Sequence, residues 1–348
     1  MLLKYLKIIL IIILYQSPLY SKSNSLNDND LKYLSNYFSG IVAYESQNNS
    51  DALKFFKSSK SLINKHSSYL QKYTYSLVLE SKVQTAINEL KMNYEAEKYH
   101  FFDGFILLAL DSLRRDNFKK SRIYLSKAKK FIENDRIKSA IYETLEEYLY
   151  VFDKKKILKK KKNYGDFSFI SETFQRCYLE DPNTEAFFLK LINNFENEYS
   201  RYIFFYLNYL LENKNLEVAK EYVVNLDYLN LTLLLAQGKQ WIDQNKYENF
   251  SKIFSCKNHN DLIAEFLFLV STLYSSQDAY ERSNFYLNLS SFLNPKFKFN
   301  LSLAAENHYS NENYKSAKKI LEKINTTNQY FYWFKVKKSA QIISKEQN

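Results

Sequence analysis

The run DALKFFKSSKSL (residues 51–62) has the lysine-rich, amphipathic pattern of an ordinary surface helix. It gains meaning from TAINELKMNYEA (85–96), SRIYLSKAKKFI (121–132), VAKEYVVNLDYL (218–229), RSNFYLNLSSFL (282–293) and SAKKILEKINTT (316–327). Each carries a small residue near its start: Ala52, Ala86, Ser121, Ala219, Ser283 and Ala317. Four positions on stands a bulky apolar one: Phe56, Leu90, Leu125, Val223, Leu287 and Leu321. Four residues is about one helical turn, so each pair shares a face. Successive small residues lie 34, 35, 98, 64 and 34 positions apart, and the long gaps are close to three and two of the same period. Twelve positions upstream stand Gly40, Thr74, Ala109, Leu207, Ser271 and Ala305, all small except Leu207. Small residues facing each other let two antiparallel helices approach closely while the bulky ones fill the groove between them. The unit is therefore a helix hairpin, and a hairpin hides its second apolar face only under the next one.

This pattern resembles the tetratricopeptide repeat (TPR) family. That family's 34-residue unit carries Gly or Ala at position 8, Ala at 20, an aromatic or Leu at 24 and often Pro at 32. The unit from Tyr33 supplies Gly40, Ala52, Phe56 and Asn64; the unit from Ala264 supplies Ser271, Ser283, Leu287 and Pro295. Units from Ser67, Phe102, Ser200 and Lys298 match more loosely, and the family's Trp at position 4 is absent. The resemblance implies an all-α fold, a right-handed α-solenoid of TPR-like hairpins. Residues 31–152 would form an N-terminal array and 167–348 a divergent C-terminal array, with a lysine-rich linker at 153–166. In such a stack each unit touches only its neighbours. Cys177 and Cys256, 79 positions apart, are then expected to be unpaired, buried small apolar residues.

The first 21 residues read as a signal peptide: Lys4 and Lys7, then the apolar run at 8–15, then Pro18 and small residues before a cut after Ser21. The run falls short of the roughly 20 residues that span a bilayer. An uncleaved N-terminal anchor is the competing reading, and 22–30 is a short polar linker. Export to the periplasm or envelope follows, with no membrane span after signal removal. Hydrophobic residues at 46% mark a globular chain. With only 4 Gly and 3 Pro, turns that need positive φ are expected to be scarce, which disfavours β-rich folds.

The formal charge of +11 is local, not general. Without Lys4 and Lys7 it is 11 − 2 = +9, and the run at 154–162 holds seven lysines (Lys154, Lys155, Lys156, Lys159, Lys160, Lys161, Lys162), leaving 9 − 7 = +2. A duplex-tracking protein would be basic throughout, so nucleic acid is disfavoured as a partner. The run is read chiefly as a solvated linker, and secondarily as a grip on an anionic envelope surface.

Phosphate-loop, dinucleotide, zinc-protease and nucleophile-elbow motifs are absent, which argues against an enzyme and against cofactors. His66 and His100 share a phase 34 residues apart, but two ligands without a third make a poor metal site. The resemblance also implies a partner-binding groove lined by the first helix of each hairpin. That selects Tyr37, Ile41 and Tyr44, then Gln71 and Tyr75, with Arg114 further on. The two-carboxylate clamp of chaperone-binding TPR domains would need Lys and Asn where Tyr37 and Ile41 stand. The expected function is a non-catalytic protein or peptide scaffold of the cell envelope. The alternatives are a superhelical accessory region of a peptidoglycan-acting system, or a nucleic-acid-associated repeat protein if the N-terminus is not a signal.

Overall fold

The computed structural model of the chain describes residues 28–347 except 64, 67, 96–99, 160–161, 194–199, 227–231 and 325–328. The signal-peptide reading therefore lies outside the described residues. Among those described there are eighteen α-helices and no strand. Sixteen form hairpins. These are α1 (Asp28–Glu45) with α2 (Asn49–Ser58), α3 (Tyr69–Leu79) with α4 (Val83–Met92), and α5 (Phe102–Arg114) with α6 (Phe118–Ala128). After the single helix α7 (Arg136–Lys154) come α8 (Asp166–Tyr178) with α9 (Thr184–Asn193) and α10 (Ser200–Glu212) with α11 (Leu216–Val224). Then follow α12 (Leu233–Asp243) with α13 (Glu248–Ile253), α14 (His259–Ser275) with α15 (Tyr280–Leu293), and α16 (Asn300–Ser310) with α17 (Tyr314–Glu322). The last helix, α18 (Gln329–Glu346), is again single. Successive helices pack pairwise, which makes this an all-α repeat fold.

The repeat is written in the corners. Gln47, Ser81, Asp116, Lys214, Asn245, Asp278 and Glu312 all adopt left-handed backbone, with φ between 55° and 62°. In every case the amide of that residue donates to the carbonyl three back and the next amide to the carbonyl five back, as in Gln47 to Tyr44 (2.9 Å) and Asn48 to Ala43 (2.8 Å). This is the Schellman closure, which satisfies the orphan carbonyls of a helix end. Five residues after each comes the anchor of the second helix: Ala52, Ala86, Ser121, Ala219, Phe250, Ser283 and Ala317. Glu180 makes the same turn, but Pro182 follows and the buried pair there is Thr184 with Phe188. Positive-φ turns are thus not scarce, contrary to the expectation from the glycine count. Polar residues occupy them, and the recurring corner compensates the strain of a Cβ in that region.

The facing small residues meet as the periodicity requires. Ser121 Oγ donates to Ala109 O at 2.8 Å, and the hydroxyls of Ser271 and Ser283 lie 2.9 Å apart. A Cβ on Gly40 would come within 2.9 Å of the Phe56 ring, and one on Gly238 within 2.8 Å of Phe204.

Three features break the neighbour-only rule. Cys177, at the end of α8, and Cys256, in the corner before α14, form a disulfide and are both buried. The expectation of unpaired cysteines is overturned: the corner that holds Cys256 packs against α8, with the Phe174 and Phe254 rings 5.8 Å apart. The hairpin α14–α15 also packs on helices far before it in the chain: α15 lies on α3 and α4, and α14 on α7 and α8. The first and last complete hairpins meet where Asn311 Nδ2 donates to Gln47 Oε1 at 2.5 Å.

Candidate functional site

The residues expected to line a groove are held by the chain's own elements. Tyr37 is buried, stacked on Tyr69 and His66 with centroids 5.4 and 4.7 Å away, and its hydroxyl lies 3.0 Å from Ser68 Oγ. Ile41 and Gln71 are half-buried. Tyr44 donates to Glu281, Tyr75 stacks on Phe285 at 4.6 Å, and the Arg114 guanidinium sits 4.4 Å over the Phe292 ring. Glu281, Phe285 and Phe292 all belong to α15, so the segment lying against the N-terminal array at these residues is α15 itself.

Beneath that contact is a buried polar cluster that periodicity did not reveal. The Asp103 carboxylate on α5 accepts from Tyr75, from Tyr286 at 2.6 Å and from Arg282 at 2.9 Å. Burial, with Asp103 close by, holds the Tyr75 and Tyr286 phenols far above their usual titration range. The two phenols are therefore fixed donors, and the cluster orients α15.

Two hollows open between the arrays. The inner one, of about 380 Å³, lies between the α3–α4 corner and helices α15 to α17. Its walls are tied across by Ser81 Oγ to Asn288 Oδ1 (2.9 Å) and Lys319 Nζ to Glu80 Oε2 (2.9 Å). His308 borders it; burial pushes its imidazole down to about 4, so it is neutral near pH 7 and faces Asn284 Nδ2 at 3.4 Å. The outer hollow, about 1110 Å³, lies between the α1–α2 and α16–α17 corners and shares Asn49, Glu80, Ser316 and Lys319 with the inner one. All of its lining residues are polar or charged. Asn49 Oδ1, on the shared wall, is buried and accepts no hydrogen bond from the described residues.

The lysine run follows α7. Lys154 pairs with Asp153 at 3.1 Å, Lys155 takes left-handed backbone and donates to the Tyr178 hydroxyl at 2.5 Å, and Lys162 lies 3.7 Å from Glu143. Lys156 and Lys159 are exposed, while Lys160 and Lys161 lie outside the described residues. His100 Nε2 sits 2.8 Å from the Tyr94 carbonyl. No group of three or more potential metal ligands occurs among the described residues, and no helix there is long and apolar enough to cross a membrane. No protein-family model, curated protein or solved structure matches the chain.

Proposed function

We propose that this chain is a non-catalytic interaction scaffold exported to the bacterial cell envelope, built as a right-handed superhelix of TPR-like hairpins, and that it holds an extended polar segment of a protein partner. The observation that carries the reading is the polar cleft between the corners of the first and last hairpins. Its asparagine and glutamine side chains offer both donors and acceptors to a partner backbone. The seven equal corners, each five residues before its anchor, support kinship with TPR units. The buried Cys177–Cys256 bridge supports an oxidising compartment, since such bridges are rare in the cytosol of mesophiles. Lys156 and Lys159 are free to meet an anionic envelope polymer.

The test is site-specific photocrosslinking in cells, with the reactive residue placed at Glu312 or Lys315 in the cleft and at exposed Lys246 as control. One discrete adduct from both cleft positions and none from Lys246, in the envelope fraction, is the expected result. Equal labelling at all three sites, or recovery of the protein in the cytoplasm with two free thiols, would overturn the proposal.

A further inference from the structure

α18 is apolar on two opposite faces. Phe331 and Ile342 are buried on one, Phe331 lying 4.8 Å from Phe299. Lys338 lies on the same side, its ammonium on Glu306 at 2.6 Å. At 3.6 residues per turn, Tyr332, Trp333, Val336, Ala340 and Ile343 fall on an opposite arc of about 100°. All five are exposed, Trp333 to 65%. By the same geometry Lys335 and Lys337 flank this arc on either side, while Lys345, at the helix's C-terminal end, falls on the opposite face beside Lys338. Neither flanking lysine has an ion-pair partner among the described residues. The one carboxylate at that end, Glu346, is held by Lys318 at 2.6 Å.

We infer that this face docks on an anionic lipid surface. Trp and Tyr suit the headgroup boundary, where a ring needs one apolar and one wet side. An apolar arc edged with lysines is the composition of helices that lie in a membrane plane. The charge selects this occupant over a second α18: two copies laid arc to arc would set lysine against lysine, whereas an acidic leaflet complements both flanking lysines. α1 also exposes an apolar stripe, Leu31, Phe38 and Val42, but its sequence carries one lysine against three carboxylates. The assignment concerns a surface other than the polar cleft and stands whether or not the cleft holds a partner.

The experiment uses the full chain with Trp241→Phe, which leaves Trp333 as the reporting tryptophan, and a circular-dichroism check of helicity. Vesicles are pure phosphatidylcholine, or phosphatidylcholine with phosphatidylglycerol, each with and without brominated chains. Expected are a blue shift and bromine quenching at Trp333 with the acidic vesicles alone. Lys335→Gln and Lys337→Gln together should weaken partitioning about thirtyfold, at about one kcal/mol per lysine. Because the signal is read at α18, membrane attachment through residues 8–15 does not by itself reproduce that lysine dependence. Emission unchanged by acidic vesicles, quenching indifferent to the two flanking lysines, or a concentration-dependent shift without lipid, which would mean self-association, each overturns the inference.

Discussion

Asp103 on α5 and Arg282 on α15, 179 positions apart, meet at 2.9 Å beneath the surface where the C-terminal hairpin lies on the N-terminal array. Asp103 is almost fully buried and takes two phenol hydrogen bonds besides. Removing one partner of a buried pair strands the other, at about 3–5 kcal/mol. Arg282 keeps about a third of its side chain in water, so we expect Asp103→Asn to cost about 2–4 kcal/mol in urea denaturation. In a double-mutant cycle with Arg282→Met the two losses should not add. Additive losses would show that the pair does not couple the arrays.

The Cys177–Cys256 bridge spans 79 positions, and constraining a loop of that length in the unfolded chain stabilises by about 4 kcal/mol on the chain-entropy model. Thiol titration of the unfolded protein should find two free thiols only after reduction. Reductant or Cys256→Ser should lower the melting temperature substantially.

Gly238 has no room for a side chain. A Cβ there would sit 2.8 Å from Phe204 and 3.2 Å from Phe250, both fully buried. Gly238→Ala should destabilise by about 1–3 kcal/mol through overpacking, even though alanine is the better helix former. At the left-handed corners the sign reverses. Lys214→Gly, at φ 62°, should raise the urea midpoint, because glycine adopts that conformation without the roughly 1–2 kcal/mol cost of a Cβ.

His308 gives the chain a built-in acid sensitivity. Its folded value of about 4 lies below the usual 6.5 because burial disfavours the charged ring. As pH falls below 6.5 the unfolded state takes up a proton that the folded state refuses until about 4, so stability is lost across that window. At about 1.4 kcal/mol per pKa unit the loss approaches about 3 kcal/mol. The stability difference between wild type and His308→Gln, measured at pH 7.5 and 4.5, should shift against the wild type by about that amount. A pH-independent difference would mean that the histidine charges freely in the fold.

Much of the local architecture was legible. The small-residue anchors fixed the register, and the corners fall five residues before them, because both are consequences of one hairpin geometry. Phe250 holds the same place with a larger side chain, and buried Thr184 stands one position short of it, which is why their hairpins read as irregular. A period, however, speaks only of neighbours. It carries no information on which distant hairpins touch, so Asp103 with Arg282, Tyr44 with Glu281 and the disulfide were invisible to it. The glycine count misled for a related reason: it measures who can enter left-handed backbone cheaply, while the corner itself compels Gln47, Lys214 or Glu312 to enter.

Rods of stacked hairpins ordinarily fray, shedding terminal units while the middle persists. Here Gln47 and Asn311 bind the opening hairpin to the closing one, which leaves the complete hairpins without a loose end at which unravelling could begin. Heating should therefore give one sharp transition for the hairpins, in place of the staggered loss that an open rod would show.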